Sequence, residues 1–223
     1  MSVEKKFSFK QFIVPNFAKR LAFMLPAVIL MGVFVSILVE IGWGTDPASF
    51  MNLNIAAALG LSLGNTQVLI YGILLVFTFA FGARMIGFGT LANMLLIGYV
   101  VDFCRWIWRN VGFAQFIQEG SFAARLTIFS ATIFLFVIVA AIYMNAQMGV
   151  APYDATPVII SGWLPKIPFF VIRIFFDLSA VAAGVIAGKI GGSVQGSLVG
   201  SIAMSLLLGP AISIVGKPLK RVL

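Results

Sequence analysis

Histidine is absent from the whole chain, which excludes a histidine-bound metal, a histidine general base and a histidine proton relay. The single cysteine, Cys104, cannot close an intrachain disulfide. Lying between Phe103 and Arg105, it reads as a buried or interfacial thiol. Charge is scarce as well: Asp, Glu, Lys and Arg supply 10% of the residues, where a soluble domain runs at about 25%. The sequence has no Walker motif, no nucleophile elbow and no paired catalytic carboxylates. These absences point away from an enzyme, and no cofactor or metal is expected.

What fills the chain instead is apolar: 61% of the residues are hydrophobic and the mean hydropathy is +1.08. A chain of this kind is solvated by lipid. The hydrocarbon core is about 30 Å thick and a helix rises about 1.5 Å per residue, so the 223 residues hold roughly six to eight spans and no large extramembrane domain. Basic residues outnumber acidic ones 15 to 7, giving a net charge of +8 and a pI near 10.0. In a membrane protein that excess reflects topology and anionic lipid head groups rather than nucleic acid, so lipid is an expected partner and nucleic acid is not.

Residues 1–20 interleave Lys5, Lys6, Lys10, Lys19 and Arg20 with Phe7, Phe9, Phe12, Ile13 and Phe17, a pattern that suits a helix on the cytoplasmic membrane surface. The next apolar run, Leu21 to Val39, has full span length and no small-residue cleavage site after it, so it reads as a span kinked at Pro26 rather than as a signal peptide. A break follows at Gly42 to Pro47, where Asp46 is a good N-cap and Pro47 a good first residue for a short helix reaching about Leu63. Spans are expected from Thr66 to Ala83 and from Thr90 to about Trp106, with Arg105, Trp106, Trp108 and Arg109 as an interfacial anchor. Residues 110–123 form the longest polar connection.

The order then recurs. A span from about Ala124 to Tyr143 leads to a break at Asn145 to Asp154, a short helix to Trp163, and spans at about Pro168 to Ala187 and Val194 to Val215. Gly89 to Gly98 aligns with Gly200 to Gly209 without a gap, and Pro47-Ala48-Ser49 with Asp154-Ala155-Thr156. The sequence therefore divides into an all-α, internally duplicated bundle: a basic segment (1–20), a first membrane repeat (21–109), a connection (110–123), a second repeat (124–216) and a basic tail (217–223). Each repeat holds three long spans and one short broken helix. Small transporters are often built this way, with the site where the repeats meet.

Positive charge gives a topology. If both short helices cross, twelve basic residues lie inside (Lys5, Lys6, Lys10, Lys19, Arg20, Arg105, Arg109, Arg125, Lys166, Lys217, Lys220, Arg221) and two outside (Arg84, Lys189), and the halves run parallel. If both are re-entrant, Arg105, Arg109 and Arg125 move outside and Arg84 inside, and the split is 10 to 4. The first count fits the positive-inside rule better. Both put the two termini in the cytoplasm.

Arg173 and Asp177 fall inside an apolar span, four apart and so on one helix face. Charges at that depth cost about 2.5–3.5 kcal/mol each on an insertion scale, so such residues face the bundle interior and commonly serve function. Arg before Asp is the weaker order for such a pair, which leaves room for a third partner. Tyr153 and Asp154, at the start of the second short helix, supply one; Asp154 reads equally as a plain N-cap. Thr45 and Asp46 are their counterparts in the first half, and Gln67 and Tyr71 align with Arg173 and Asp177. Asn93 is a further candidate, with Asn145, Gln147 and Gln195 behind it.

With these residues in hand, the chain resembles the YczE/YyaS/YitT group of bacterial integral membrane proteins. The resemblance rests on the break from Gly42 to Pro47, the Gly89 to Gly98 helix, the Pro152 to Ala155 break, the Ile172 to Asp177 helix and the Leu206 to Pro210 end. Ser201 departs from it, standing where a second Gly-Thr is expected. The resemblance implies a bacterial cytoplasmic-membrane protein and brings no settled substrate. From the residues themselves, the expectation is a small-solute transporter with its site at the repeat interface. A substrate-capture subunit for an ATPase partner and a non-transporting accessory protein are the alternatives, and a homo-oligomer is compatible with each.

Overall fold

A computed structural model of the chain describes residues 7–219. Lys5 and Lys6 of the basic N-terminal segment and Lys220 and Arg221 of the tail lie outside the described residues. Where a surface helix was expected, residues 9–12 make one 3-10 turn capped by Ser8, and Phe17 to Arg20 are already the first turn of a long span. Among the described residues nine α-helices follow in order: α1 (Phe17–Ile41), α2 (Pro47–Leu59), α3 (Leu63–Gly82), α4 (Phe88–Asn110), α5 (Phe113–Glu119), α6 (Phe122–Asn145), α7 (Pro152–Trp163), α8 (Phe169–Ile190) and α9 (Leu198–Leu219). There is no strand among the described residues. Six of the helices (α1, α3, α4, α6, α8 and α9) are long and apolar enough to cross a membrane. Large apolar side chains such as Ile73, Phe134 and Leu207 point outward from them, and the chain is a multi-pass membrane protein. The polar connection between the halves carries a helix of its own, α5.

Side-chain contacts fix the direction of every span. Arg20, at the start of α1, donates from Nη1 to the carbonyl of Ala146 at the end of α6 (2.9 Å). Arg125, at the start of α6, donates from Nη2 to the carbonyl of Ile41 at the end of α1 (2.8 Å). The helices α1 and α6 are thus antiparallel neighbours. In contrast, α1 and α4 run together, because Glu40 meets Arg105 (2.7 Å) and Ser36 accepts from the Trp108 indole (2.9 Å) near the ends of both. Two faces can be defined: a near face, where α1 begins and α6 ends, and a far face opposite.

These directions overturn the eight-crossing arrangement with parallel halves. The reason is length and direction together. With 13 and 12 residues, α2 and α7 reach only about 20 and 18 Å, short of the roughly 30 Å hydrocarbon core. Along α8, Gly184 packs on Phe50 and Met51, Gly188 on Asn54 and Gly191 on Ala58, so α2 rises beside α8 toward the far face. Along α3, Tyr71 stacks on Tyr153, Gly82 packs on Ile159, and Phe77 and Phe81 meet Trp163, so α7 descends beside α3 toward the near face. Both short helices are re-entrant, and each starts inside the bundle.

The breaks that lead into them need glycine. Gly44 (φ +119) and Gly149 (φ +105) have backbone conformations that L side chains rarely adopt, and each lies against another chain segment: Gly44 on Gly200 and Ser201, Gly149 on Gly87 and Thr90. Each break is therefore wedged against the first turn of a long helix of the opposite half, α9 or α4. The wedges are tied by hydrogen bonds from Thr45 N to Ser201 Oγ (3.2 Å), Gly89 N to Met148 O (2.6 Å) and Val150 N to Met85 O (2.9 Å). Pro47 and Pro152 each take the first position of a short helix.

Candidate functional site

The site grows from α8. Arg173 and Asp177 share a face four residues apart, and the Arg173 Nε donates to Asp177 Oδ2 (2.9 Å). Asp177 is the ninth residue of its helix, roughly 12 Å from the helix start and near the middle of the span. A second carboxylate closes on the same guanidinium: Arg173 Nη1 donates to Asp154 Oδ1 (2.7 Å). Asp154 is consequently not the N-cap of α7. That position belongs to Ala151, which offers no side chain, and Asp154 sits one turn in with its carboxylate turned to α8.

Tyr153 completes the cluster. Its hydroxyl donates to Asp177 Oδ1 (2.8 Å), its ring lies under the Arg173 guanidinium (5.5 Å) and it stacks on Tyr71 of α3 (6.4 Å between centroids). Asp177 has both oxygens bonded and is 4% exposed, whereas the Arg173 and Asp154 side chains are 27% and 28% exposed. Asp154 lines a cavity of about 300 Å³, together with Arg84, Met85, Tyr143, Gln147 and Gly149, on the near-face side of the cluster. A larger cavity of about 440 Å³ lies between α6 and α9, lined by apolar residues such as Phe129, Met204 and Leu207, and touches none of the candidate residues.

The remaining candidates divide. Tyr71 belongs to the cluster through its stack on Tyr153. Asp46 caps α2, accepting from Ser49 N through Oδ1 (3.0 Å), while its Oδ2 is buried without a partner. Thr45 is a link in the break, bonded to Ser201 and to the carbonyl of Asp46. Gln67 ties α3 to α4 by donating to the carbonyls of Asn93 (2.9 Å) and Met94 (3.4 Å), and the Asn93 side-chain oxygen is left buried and unpartnered. Asn145 bonds its own helix at Ala141, Gln147 accepts from Arg20, and Gln195 exchanges backbone bonds with the Asn54 side chain.

Several polar residues that position the site escape a reading by motif. Arg20 and Arg125 are 105 positions apart, the same interval that separates Pro47 from Pro152 and Ile41 from Ala146; that shared interval is the signal in the sequence that could have found them. Asp102 accepts from the first two backbone N–H groups of α3, at Leu63 (3.1 Å) and Gly64 (2.7 Å), where its own helix context offers no hint.

No curated protein and no solved structure matches the chain. A family model does, over residues 18–217, which takes in both breaks, the whole Arg173 cluster and all but the outermost residues of the spans. The chain belongs to a family of unknown function, DUF6198.

Proposed function

We propose that this chain is an internally duplicated transporter for a small polar solute, with its site at mid-membrane where the two halves meet. The observation that carries the reading is the Arg173 cluster itself: a guanidinium shared by Asp154 and Asp177, beside an open cavity, at the middle of a span. Charged groups at that depth are expensive and are retained where they bind or move something. The duplication is supported by the exchange of partners, with α2 along α8, α7 along α3, and Arg20 and Arg125 bonding reciprocally.

On this reading, α7 presents its N-terminus to the solute. Its first turn has no side-chain cap, so backbone N–H groups and the positive end of the helix dipole are available to an anionic group. Arg173 orients that group, and Asp154, the half-exposed carboxylate, yields to it. The halves are inverted, so an axis in the membrane plane relates them, and the two breaks lead to opposite faces as alternating access requires. On this reading the near face and both termini are cytoplasmic, in a bacterial inner membrane, which the larger share of basic residues near that face supports.

The test is a thermal-shift screen of metabolites against purified protein, since a ligand that binds only the native state raises its stability. A hit should disappear in Arg173→Ala and in Asp177→Ala while both variants stay monodisperse, and the same solute should cross liposome membranes containing the chain alone. Undiminished binding by the folded Arg173→Ala/Asp177→Ala double variant sinks the site.

A further inference from the structure

Outside the Arg173 cluster, a second set of polar groups is buried without partners. Setting aside the Nε atoms of Arg20 and Arg125, the unpartnered buried side-chain atoms among the described residues are Asp46 Oδ2, both side-chain heteroatoms of Asn52, Thr66 Oγ1 and Asn93 Oδ1. Asn52 is 0% exposed and Asn93 is 3% exposed. Native interiors rarely leave an amide with neither end bonded, so such a group calls for an occupant.

Three of these residues lie on neighbouring elements: Asp46 at the start of α2, Asn52 along it, and Asn93 on α4, with α3 packed against both helices. Asp46 caps α2 by accepting from Ser49 N through Oδ1, and Asn52 lies about one turn beyond Ser49 on the same helix. Asn52 sits at a seam. Met51 on one side of it packs in the apolar cluster around Tyr71 and Tyr153, while Leu53 on the other packs in the cluster around Met24 and Val101. Asn93 of α4 sits at the same seam, between Ala92 of one cluster and Met94 of the other. The turn of α3 from Gln67 to Tyr71 joins them, since Gln67 holds the Asn93 carbonyl and Tyr71 packs with Ala48 and Met51. Thr66 lies further toward the far face.

The donor set is chemically narrow. It consists of oxygen atoms, one from a carboxylate and two from amides, with no nitrogen or sulfur ligand among them. Oxygen ligands with a single formal negative charge match a hard monovalent cation; a divalent ion draws more carboxylates, and a transition metal draws imidazole or thiolate.

We propose that Asp46, Asn52 and Asn93 hold a monovalent alkali cation, of sodium's class, in the seam between α2, α3 and α4. Tyr71, which stacks on Tyr153 and shares an apolar cluster with Ala48 and Met51, links the ion site to the Arg173 cluster. That the ion is coupled to solute movement rests on the transporter reading; that it binds does not.

The binding is tested on the purified full-length chain. Melting is measured in sodium, lithium, potassium and choline chloride at equal ionic strength. At least one alkali ion should raise the melting temperature saturably over choline. The shift should fall at least tenfold in apparent affinity in Asp46→Asn, which keeps an N-cap of equal quality, and in Asn52→Ala and Asn93→Ala, while Arg173→Ala retains it. Identical curves in all four salts mean that water alone fills the seam, and the proposal is overturned. It is equally overturned by a shift that survives unchanged in the folded asparagine variants. Should Asp46→Asn fail to fold, the two asparagine variants decide alone. A cation shift without solute flux removes the transporter reading and leaves the ion site standing.

Discussion

Arg20 and Arg125 perform the same task at opposite faces of the bundle. Each begins one long helix and donates to the last carbonyl of the other, Arg20 to Ala146 and Arg125 to Ile41, at 2.9 and 2.8 Å. Each thereby ties down the entry to a break, and each adds a local contact, Arg20 with the Gln147 amide and Arg125 with the Trp43 ring. On the transporter reading, opening either break for a solute requires its latch to let go.

Removing a latch should cost stability evenly at the two ends. A hydrogen bond to a charged donor contributes about 1.5–3 kcal/mol, so Arg20→Ala and Arg125→Ala should each lower the melting temperature of purified protein by several degrees. Because the two latches share no partner, the double variant should lose about the sum. A strongly sub-additive double variant would show that the two ends already communicate in the resting protein.

The Arg173 fork should not accept lysine. One guanidinium spans two carboxylates on different helices, through Nε to Asp177 and Nη1 to Asp154, and a single ammonium cannot reproduce that geometry. Arg173→Lys should therefore weaken binding of any solute found by the thermal-shift screen at least tenfold, with the protein still folded. Binding equal to the parent protein would show that charge alone matters there. Tyr153→Phe tests the other oxygen of Asp177: losing its one hydroxyl donor should destabilise the fold by about 1–3 kcal/mol in a denaturation measurement.

How much of this was legible beforehand depends on which physical signal carried it. The six spans were, because each is a run of apolar residues of the length a bilayer demands, and Pro26 did not interrupt the first. Both short helices were as well, the first through Asp46 and Pro47 at its start and the second through the break that precedes it, although Pro152 rather than Asp154 opens it. Their direction was not. Charge counting preferred crossing helices because it placed Arg105, Arg109 and Arg125 with the other basic residues, yet Arg105 and Arg109 pair with Glu40 and Arg125 caps α1. Charges consumed by internal partners carry less topological information than free ones. At the site, the spacing of Arg173 and Asp177 put both on one face, but nothing in the sequence around Asn52 shows that it ends at a seam between two apolar clusters.

Gly44 and Gly149 should be intolerant of any side chain. Alanine at either faces a backbone cost of roughly 1–2 kcal/mol for its φ and, in addition, collides with backbone atoms of Gly200 and Ser201 or of Gly87. Gly44→Ala and Gly149→Ala should give little monodisperse protein, whereas Gly72→Ala, whose added methyl meets nothing, should purify and melt like the parent. Size-exclusion profiles of the three variants in one detergent make the comparison.

The last prediction concerns direction. Asn65 lies in the first turn of α3 and is exposed at the far face, while Lys166 is exposed in the turn between α7 and α8 at the near face. If the near face is cytoplasmic, then in a Cys104→Ser background a cysteine at Asn65 should react with an impermeant thiol reagent in intact cells. A cysteine at Lys166 should react only after permeabilisation. The opposite pattern would invert the protein in the membrane while keeping its fold. Labelling of both positions from the same side would contradict the fold itself, because α3, crossing in full, and α7, returning to the face it left, separate the two positions by the width of the bilayer.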